Sequence, residues 1–470
     1  MVAASLLSAV FGIVQTFWIP RLLPVDAYGY WRMFLLYMGY AGLLHLGLVD
    51  GALLLWSKAH PNAAPGRTVL GRSLQFLLAE QLTLITVAVV LLRLKHASPD
   101  ATPLLAAFAV YTLLFNLLCI TQVYLQVHAK FGLVALGNSL PGLLFVVLLA
   151  GLALGGHVTV NALLIAYLSA WACTVAVLLV QAFRFNTTAE DSSASAQPGR
   201  WRRGFDYIAA GWPIMLASTG YGLMQSADRV TVNLTRPIHD FAIYSLSQST
   251  IYVPITILAA LSRVAFTYFA RVTHEGRSGL YRSSTRTITL LWMLLLPYYF
   301  AVEFVVARFL PKYIPGLPAG CILLFSVLFL SLIQIVQLNT YSLEGRQRQF
   351  FLGSIVAVVV AFATAWVGSR VIGTLTAVAW SQVITAALWW LGNEYFLRQR
   401  TAIRSWDILL VLLGFAVSAA VLAGVKGIGA NFVVASALYL LIVLPVSALL
   451  FPEERRLLIR SIPLLHGRSA

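Results

Sequence analysis

The sequence is poor in charge, in acids and in cysteine. Only 10% of its 470 residues are charged, and 16 Asp and Glu stand against 32 Lys and Arg. So little charge excludes the surface of an ordinary water-exposed domain. The three cysteines, Cys119, Cys173 and Cys321, are odd in number and each falls in an apolar run, which gives neither a disulfide framework nor metal-ligand spacing. They read as small packing residues. No Walker A sequence, Gly-rich nucleotide loop or zinc pattern occurs, which argues against an ATP-driven pump and against any cofactor or metal. The eight histidines are scattered, and neither histidines nor paired carboxylates meet at catalytic spacing, so no enzyme is expected.

Apolar residues fill the chain instead, at 60%. A helix needs about 20 mostly apolar residues to cross a bilayer, and the apolar runs give about fourteen such spans. They cover 2–20, 29–56, 69–93, 102–128, 131–154, 159–183, 204–233, 238–262, 283–307, 317–343, 350–370, 374–397, 406–425 and 431–450. The expected fold is an all-α integral membrane protein. Its net charge of +16 does not indicate a nucleic-acid partner. With the N-terminus inside, cytoplasmic loops hold about 22 Lys and Arg and outer loops about 9, which is the positive-inside bias. Both termini are then cytoplasmic.

An internal duplication divides the chain. Pro24-Val-Asp-Ala-Tyr-Gly-Tyr-Trp31 echoes Pro237-Ile-His-Asp-Phe-Ala-Ile-Tyr244, each at the loop between the first and second spans of its half. Gln122-Val-Tyr124 echoes Asn339-Thr-Tyr341, each followed by a basic turn containing Lys130 or Arg346. Two six-span bundles, 1–184 and 204–400, are expected, joined by a polar cytoplasmic linker at 185–203. Two further spans and a short tail occupy 401–470. Because six spans separate the copies, both halves run the same way through the membrane.

Ionisable residues inside apolar spans are the candidate functional sites, since each costs roughly 2.5–3.5 kcal/mol at a bilayer centre. Tyr221, Gln225 and Arg229 share one face of the seventh span, with Asp228 about 100° away. Pro213 near its start can bend that helix. Tyr244, Gln248 and Tyr252 share a face of the eighth span, and Gln334, Gln337 and Tyr341 one of the tenth. Such stripes serve either as glue between helices or as the lining of a wet cavity. For Asp228 and Arg229 the choice is between an ion pair that locks the bundle and a guanidinium offered to an anion such as phosphate. His45 and Asp50, five residues apart, lie on different faces of the second span. His45 is either a proton-titrating group or a satisfied interior histidine. Asp50, within Gly47-Leu-Val-Asp-Gly51, is either a cation or proton site or the cytoplasmic end of its helix. Glu80 and Glu303 are isolated acids suited to proton relay. Arg263 and Arg32 sit near span ends, where each either meets an anion or extends to the interface.

At several of these residues the chain resembles the Wzx-type polysaccharide flippases of the MOP superfamily. The resemblance rests on Arg21-Leu-Leu-Pro-Val-Asp-Ala-Tyr-Gly-Tyr30, Gly47-Leu-Val-Asp-Gly51, Ala227-Asp-Arg229, Ala242-Ile-Tyr-Ser245 and Glu344-Gly-Arg346, together with the span pattern over nearly the whole chain. The chain departs from the family in starting almost directly on its first span, which points to a shortened or misassigned start. The resemblance implies a V of two six-helix bundles around a central cavity in a bacterial inner membrane. It also implies a cargo, an undecaprenyl-diphosphate-linked glycan repeat unit moved from inner to outer leaflet by alternating access coupled to protons or sodium. Membrane lipids, a polysaccharide polymerase and chain-length proteins are the implied partners. For the anion and glycan the candidates are Arg229, Arg263, Arg32, Gln225 and Gln248. For ion coupling they are Asp228, Asp50, Glu80, His45 and Glu303. A multidrug cation exporter of the same superfamily is the nearest alternative, with a cavity expected to be acidic. A membrane-embedded glycan polymerase or glycosyltransferase is a second, although it would require a large outer loop that this chain lacks. A non-transporting partner in glycan assembly is a third.

Overall fold

A computed structural model describes residues 2–58, 65–94, 102–184, 200–255, 258, 274–401 and 405–454, and those residues form helices and turns without a strand. The duplication is visible in how the helices begin. Helix α1 (Val2–Leu22) leads to α2 (Val25–Met38) through Pro24 at φ −58°, ψ 154°. Helix α8 (Arg200–Thr235) leads to α9 (Ile238–Ser249) through Pro237 at φ −56°, ψ 153°. Each proline ring presets φ, and each carbonyl accepts the first helical bond, from Tyr28 at 2.9 Å and from Phe241 at 3.1 Å.

Two more joints repeat. Between α5 (Thr102–Val127) and α6 (Phe131–Leu154), the Lys130 N–H donates to the Leu125 carbonyl at 2.8 Å, after Ala129 at φ 57°. The second half builds the same turn after Gly345 at φ 68°, where the Arg346 N–H donates to the Tyr341 carbonyl at 2.8 Å. Lys130 therefore matches Arg346 and Tyr124 matches Thr340. The tyrosine pairing expected from the sequence is one residue out of register, because the turn geometry sets the alignment. Helices α7 (Val160–Arg184) and α15 (Leu375–Thr401) are both capped by threonine. Thr159 and Thr374 accept from the N–H groups of Ala162 and Ala377, each at 3.2 Å. The sequence carries a matching signal in Thr159-Val-Asn-Ala162 and Thr374-Leu-Thr-Ala377.

The expected second span is interrupted. After α2 comes a tight 3-10 turn, Ala41–His45, then α3 (Leu48–Lys58), bent by 54° from the segment before it. Leu46 at φ 47° and Gly47 at φ 91° make the break. Helix α4 (Arg67–Leu94) completes the set before α5. In the second half come α10 (His274–Leu295), α11 (Tyr298–Phe309) and α12 (Leu317–Ser331). A π-helical turn, Leu332–Gln337, joins α12 to α13 (Leu338–Leu343). Helices α14 (Gln347–Trp366), α15, α16 (Ser405–Ile428) and α17 (Phe432–Leu450) follow. Ten of the described helices are long and apolar enough to cross a membrane, and the bent α2–α3 pair is an eleventh if it forms one span. The other three of the fourteen expected intervals hold α1, α8 and α9. Helix α9 ends at Ser249, helix resumes over 252–255 after a turn, and most of the remainder of the expected span to 262 lies outside the described residues, whereas α8 runs through Pro213 as one helix. Exposed Val87, Val147, Val356 and Leu441 on these helices suit hydrocarbon, where an apolar surface needs no cover.

The chain forms two compact units, Met1–Leu223 and Met224–Ala470, so the division falls inside α8. Of the expected linker, 185–199 lies outside the described residues. In the N-terminal unit an aromatic cluster joins α2, α5, α6 and α7. Trp31 stacks on Phe145 at 5.6 Å, and Tyr111 meets Trp171 edge-on at 5.0 Å. The start of α8 packs on α3 through glycine. A Cβ on Gly51 would overlap the Tyr207 carbonyl, and one on Gly211 would overlap the Gly47 carbonyl. The Gly47-x-x-x-Gly51 spacing thus acts as a small-residue contact that lets two backbones touch. In the C-terminal unit the α12–α13 segment is central, with 83% of its most apolar window buried against 22% for α17.

Gly211→Leu is therefore expected to lower stability by about 1–3 kcal/mol or more. Gly71→Ala, where a Cβ meets no atom within 4 Å, is expected to be neutral or mildly stabilising. Thermal unfolding of the two variants in detergent compares them directly.

Candidate functional site

In the N-terminal unit the break between α2 and α3 gathers the polar residues. Interrupting a helix frees carbonyls that hydrocarbon cannot satisfy. Gln81 on α4 donates to the Leu44 carbonyl at 2.6 Å, and Asn116 on α5 donates to the Ala41 carbonyl at 3.2 Å. His45 is buried, and its Nδ1 accepts from the Gly47 N–H at 3.1 Å. That bond places the proton of a neutral imidazole on Nε2, which lies 3.9 Å from Asp50 Oδ2. His45 and Asp50 are therefore neighbours, contrary to the expectation of different helix faces. A helical wheel cannot apply across residues at positive φ. Glu80, beside Gln81 on α4, has both carboxylate oxygens buried without a hydrogen-bond partner among the described residues.

In the C-terminal unit Asp228 and Arg229 point apart, as their 100° separation requires. Asp228 is 2% exposed, and its carboxylate accepts from the Arg229 backbone N–H and from the Tyr244 hydroxyl, both at 2.7 Å. Arg229 is half-buried and its Nη1 donates to the Tyr252 hydroxyl at 3.1 Å. Gln225, one turn before Arg229 on α8, is half-buried, and so is Tyr221 at the end of the N-terminal unit. On α9 Tyr244 and Gln248 are buried, whereas Tyr252 lies past the end of that helix and is exposed. The expected Tyr244–Gln248–Tyr252 stripe is thus split, with its first two members facing protein.

The remaining expected residues are dispersed. Arg32 is buried, with its guanidinium carbon 5.9 Å from the centre of the Tyr28 ring. Glu303 on α11 is half-buried, one turn beyond Tyr299, whose hydroxyl accepts from Lys426 at 2.8 Å. Arg263 lies outside the described residues. Among the described residues no three His, Cys, Asp or Glu side chains form a group that could hold a metal ion. Cys119, Cys173 and Cys321 are free thiols, and Cys173 is exposed.

One cluster was not anticipated from sequence. Asp407, in the first turn of α16, accepts from Arg282 Nε at 2.8 Å and from Arg286 Nε and Nη2 at 3.0 and 2.7 Å. Glu454, after α17, lies 3.7 Å from Arg286 Nη1. Glu394 on α15 joins Tyr281 and Gln337 nearby. These contacts fasten the two additional C-terminal helices to α10. The available signal was an acid inside the twelfth expected span, the same signal that singled out Glu80. The π turn also divides the expected α12–α13 stripe: Gln337 and Tyr341 enter this network, and Gln334 stays half-buried outside it.

No protein-family model matches the chain, and no curated protein does. Solved structures do. The lipid II flippase MurJ, in an inward closed conformation, matches with a TM-score of 0.71 at 10% identity, covering 96% of this chain and 97% of the flippase. A multidrug resistance MATE family transporter of the MOP superfamily, facing inward, matches with a TM-score of 0.64 at 14% identity, covering 85% of this chain and 96% of its own. A MOP superfamily transporter from Pyrococcus furiosus, described as having a binding pocket of reversed polarity, matches with a TM-score of 0.52 at 14% identity, covering 85% of this chain and 93% of its own. The chain is a multi-pass membrane protein with the fold of these transporters.

The two tyrosines near Asp228 and Arg229 differ in what they hold. Tyr244→Phe removes the side-chain donor to a buried carboxylate and is expected to destabilise by about 1.5–3 kcal/mol. Tyr252→Phe removes a bond at an exposed hydroxyl and is expected to cost less than about 1 kcal/mol. Thermal unfolding of the two variants in detergent checks the order.

Proposed function

We propose that the protein flips an undecaprenyl-diphosphate-linked oligosaccharide repeat unit from the inner to the outer leaflet of a bacterial inner membrane. It does so by alternating access coupled to protons or sodium, with both termini cytoplasmic. The observation that carries this reading is the extent of the match to the lipid II flippase, 96% of this chain and 97% of that one. The multidrug transporter is itself 96% matched yet covers only 85% of this chain, which leaves a length comparable to the two spans expected in 401–470. The intramembrane guanidinium of Arg229 and the scarcity of acids also suit an anionic cargo.

In this reading Arg229 receives the diphosphate, with Gln225 beside it, and Arg32 and Arg263 are further candidates for phosphate or glycan binding; Gln248, buried and facing protein, would reach the cargo only after a rearrangement. Asp228 holds the segment from which Arg229 projects. The ion-coupling region is the break where His45 meets Asp50, with Glu80 on α4 as a further candidate, since interrupted membrane helices offer polar groups to a coupling ion. Glu303 is a lesser coupling candidate. A polysaccharide polymerase and chain-length proteins act next on the exported unit.

The test is a leaflet-accessibility assay with purified full-length protein in proteoliposomes carrying the lipid-linked glycan. Wild-type protein should expose the glycan to an outside hydrolase or lectin. Arg229→Ala should slow this about tenfold or more, the loss expected for one charge-assisted hydrogen bond. Arg229→Lys should restore part of the rate if charge suffices, and none if the planar fork is needed. An Ala variant at wild-type rate removes Arg229 from the site. A wild-type protein that leaves the glycan inside but exports cationic dyes makes the multidrug reading correct.

A further inference from the structure

The C-terminal unit contains a buried carboxylate with two unequal oxygens. Glu394, 2% exposed, accepts at Oε1 from the Tyr281 hydroxyl at 2.5 Å and from Gln337 Nε2 at 2.9 Å. Its Oε2 is buried and has no hydrogen-bond partner among the described residues. Glu394 lines a small cavity with Arg282, Thr285, Trp390, Asp407 and Ile408. Its volume of about 10 Å³ is about that of one water-sized occupant. Thr285 Oγ1, on the same cavity, is also buried without a partner. A second polar atom facing the same space marks it as a place for a proton or a small ligand, since unpaired buried polar groups are costly.

The surrounding charges favour a proton. On α10, Tyr281 donates to Glu394, while Arg282 and Arg286 are committed to Asp407, and Arg286 also approaches Glu454. The π turn supplies Gln337, whose Oε1 accepts from Asn393, and α13 supplies Tyr341, which donates to Asn393 at 3.4 Å. On α15 itself Arg398 is exposed, one turn beyond Glu394. Asp407 on α16 faces the cavity with a like charge. The donors from Tyr281 and Gln337 are thus neutral, and the Arg282 and Arg286 guanidinia are bound to Asp407. An ionised Glu394 would be an uncompensated buried charge. The bonds from Tyr281 and Gln337 both fall on Oε1, so a proton belongs on Oε2, where a water in the cavity, between Thr285 Oγ1 and the Trp390 indole, can accept from it.

We propose that Glu394 is a proton-exchanging site of the C-terminal unit, holding its proton on Oε2 over the Arg282–Thr285–Asp407 cavity and giving it up to a water there. The proton moves from Oε2 to that water, and the carboxylate left behind keeps its two donors from Tyr281 and Gln337. The site is separate from the His45–Asp50–Glu80 region, and it stands whatever the cargo is. The half-exposed Arg282 side chain marks the edge of the cavity from which the proton reaches bulk water.

Infrared difference spectroscopy of the purified full-length protein, taken between mildly acid and mildly alkaline solution, tests this without any cargo. The acid form should show a protonated-carboxyl C=O band that shifts in heavy water and disappears on alkalinisation. Glu394→Gln, which preserves shape and hydrogen bonding, should lose that band. Thr285→Val leaves the glutamate in place and should shift the band to higher frequency, because it removes a polar atom that holds the cavity's water and the carboxyl O–H loses that acceptor. The same band persisting in Glu394→Gln, or no pH-dependent band in the wild type, overturns the proposal. An unshifted band in Thr285→Val overturns the placement of the proton over this cavity. Loss of the wild-type band on adding sodium at constant acid pH identifies a cation site instead. A failed flipping assay leaves each of these results unchanged.

Discussion

Hydrocarbon offers no water to a peptide group, so every interruption of a membrane helix has to be satisfied from within the protein. Much of the polar chemistry of this chain follows from that constraint. Where α2 gives way to α3, two freed carbonyls are met by Gln81 and Asn116. Next to the π turn, Gln337 donates to the Trp390 carbonyl as well as to Glu394. Threonine caps at Thr159 and Thr374 do the same at helix starts. Side chains recruited to satisfy a broken backbone become the polar lining of the interior. Candidate ion sites therefore gather at the breaks.

The buried acids follow the same economy. Asp228 takes a backbone N–H and a tyrosine hydroxyl, Asp407 takes two guanidinium groups, and Glu394 takes only neutral donors. Three carboxylates at similar burial thus have three different partner sets. Asp407 ties α16 to α10 through Oδ1, and Asp228 ties α8 to α9 with both oxygens engaged. Glu394, with one oxygen left over, has room to exchange a proton. A buried polar group with all its bonds made stiffens a structure, and one with a bond missing is where chemistry can happen.

The helical class, the positions of most spans and the duplication were legible because hydrocarbon imposes one length and one polarity on every segment. The Pro24 and Pro237 joints were legible as well, since proline presets its own φ. Less was legible where the helix period fails. His45 and Asp50 look like opposite faces on a wheel, yet a 3-10 turn and two residues at positive φ bring them within 3.9 Å. The tyrosine echo in α5 and α13 misleads by one residue, and the π turn divides the Gln334–Gln337–Tyr341 stripe. Glu394 and Asp407 could have been suspected as acids in apolar surroundings, but nothing in their spacing links them to Arg282, Arg286 or Glu454.

The sequence by itself determined that this is a helical membrane protein made of two related halves, because apolar run length, proline and charge bias act locally. It also determined which ionisable residues had to be compensated, since the cost of a charge in lipid does not depend on the fold. The tertiary structure alone decided how each was compensated. Partners more than a hundred residues away, such as Arg286 for Asp407, are chosen by packing. The same packing turned Asp228 inward to Tyr244 and left Arg229 half-exposed. A dihedral angle belongs to one residue, but a hydrogen bond across a bundle belongs to two helices at once.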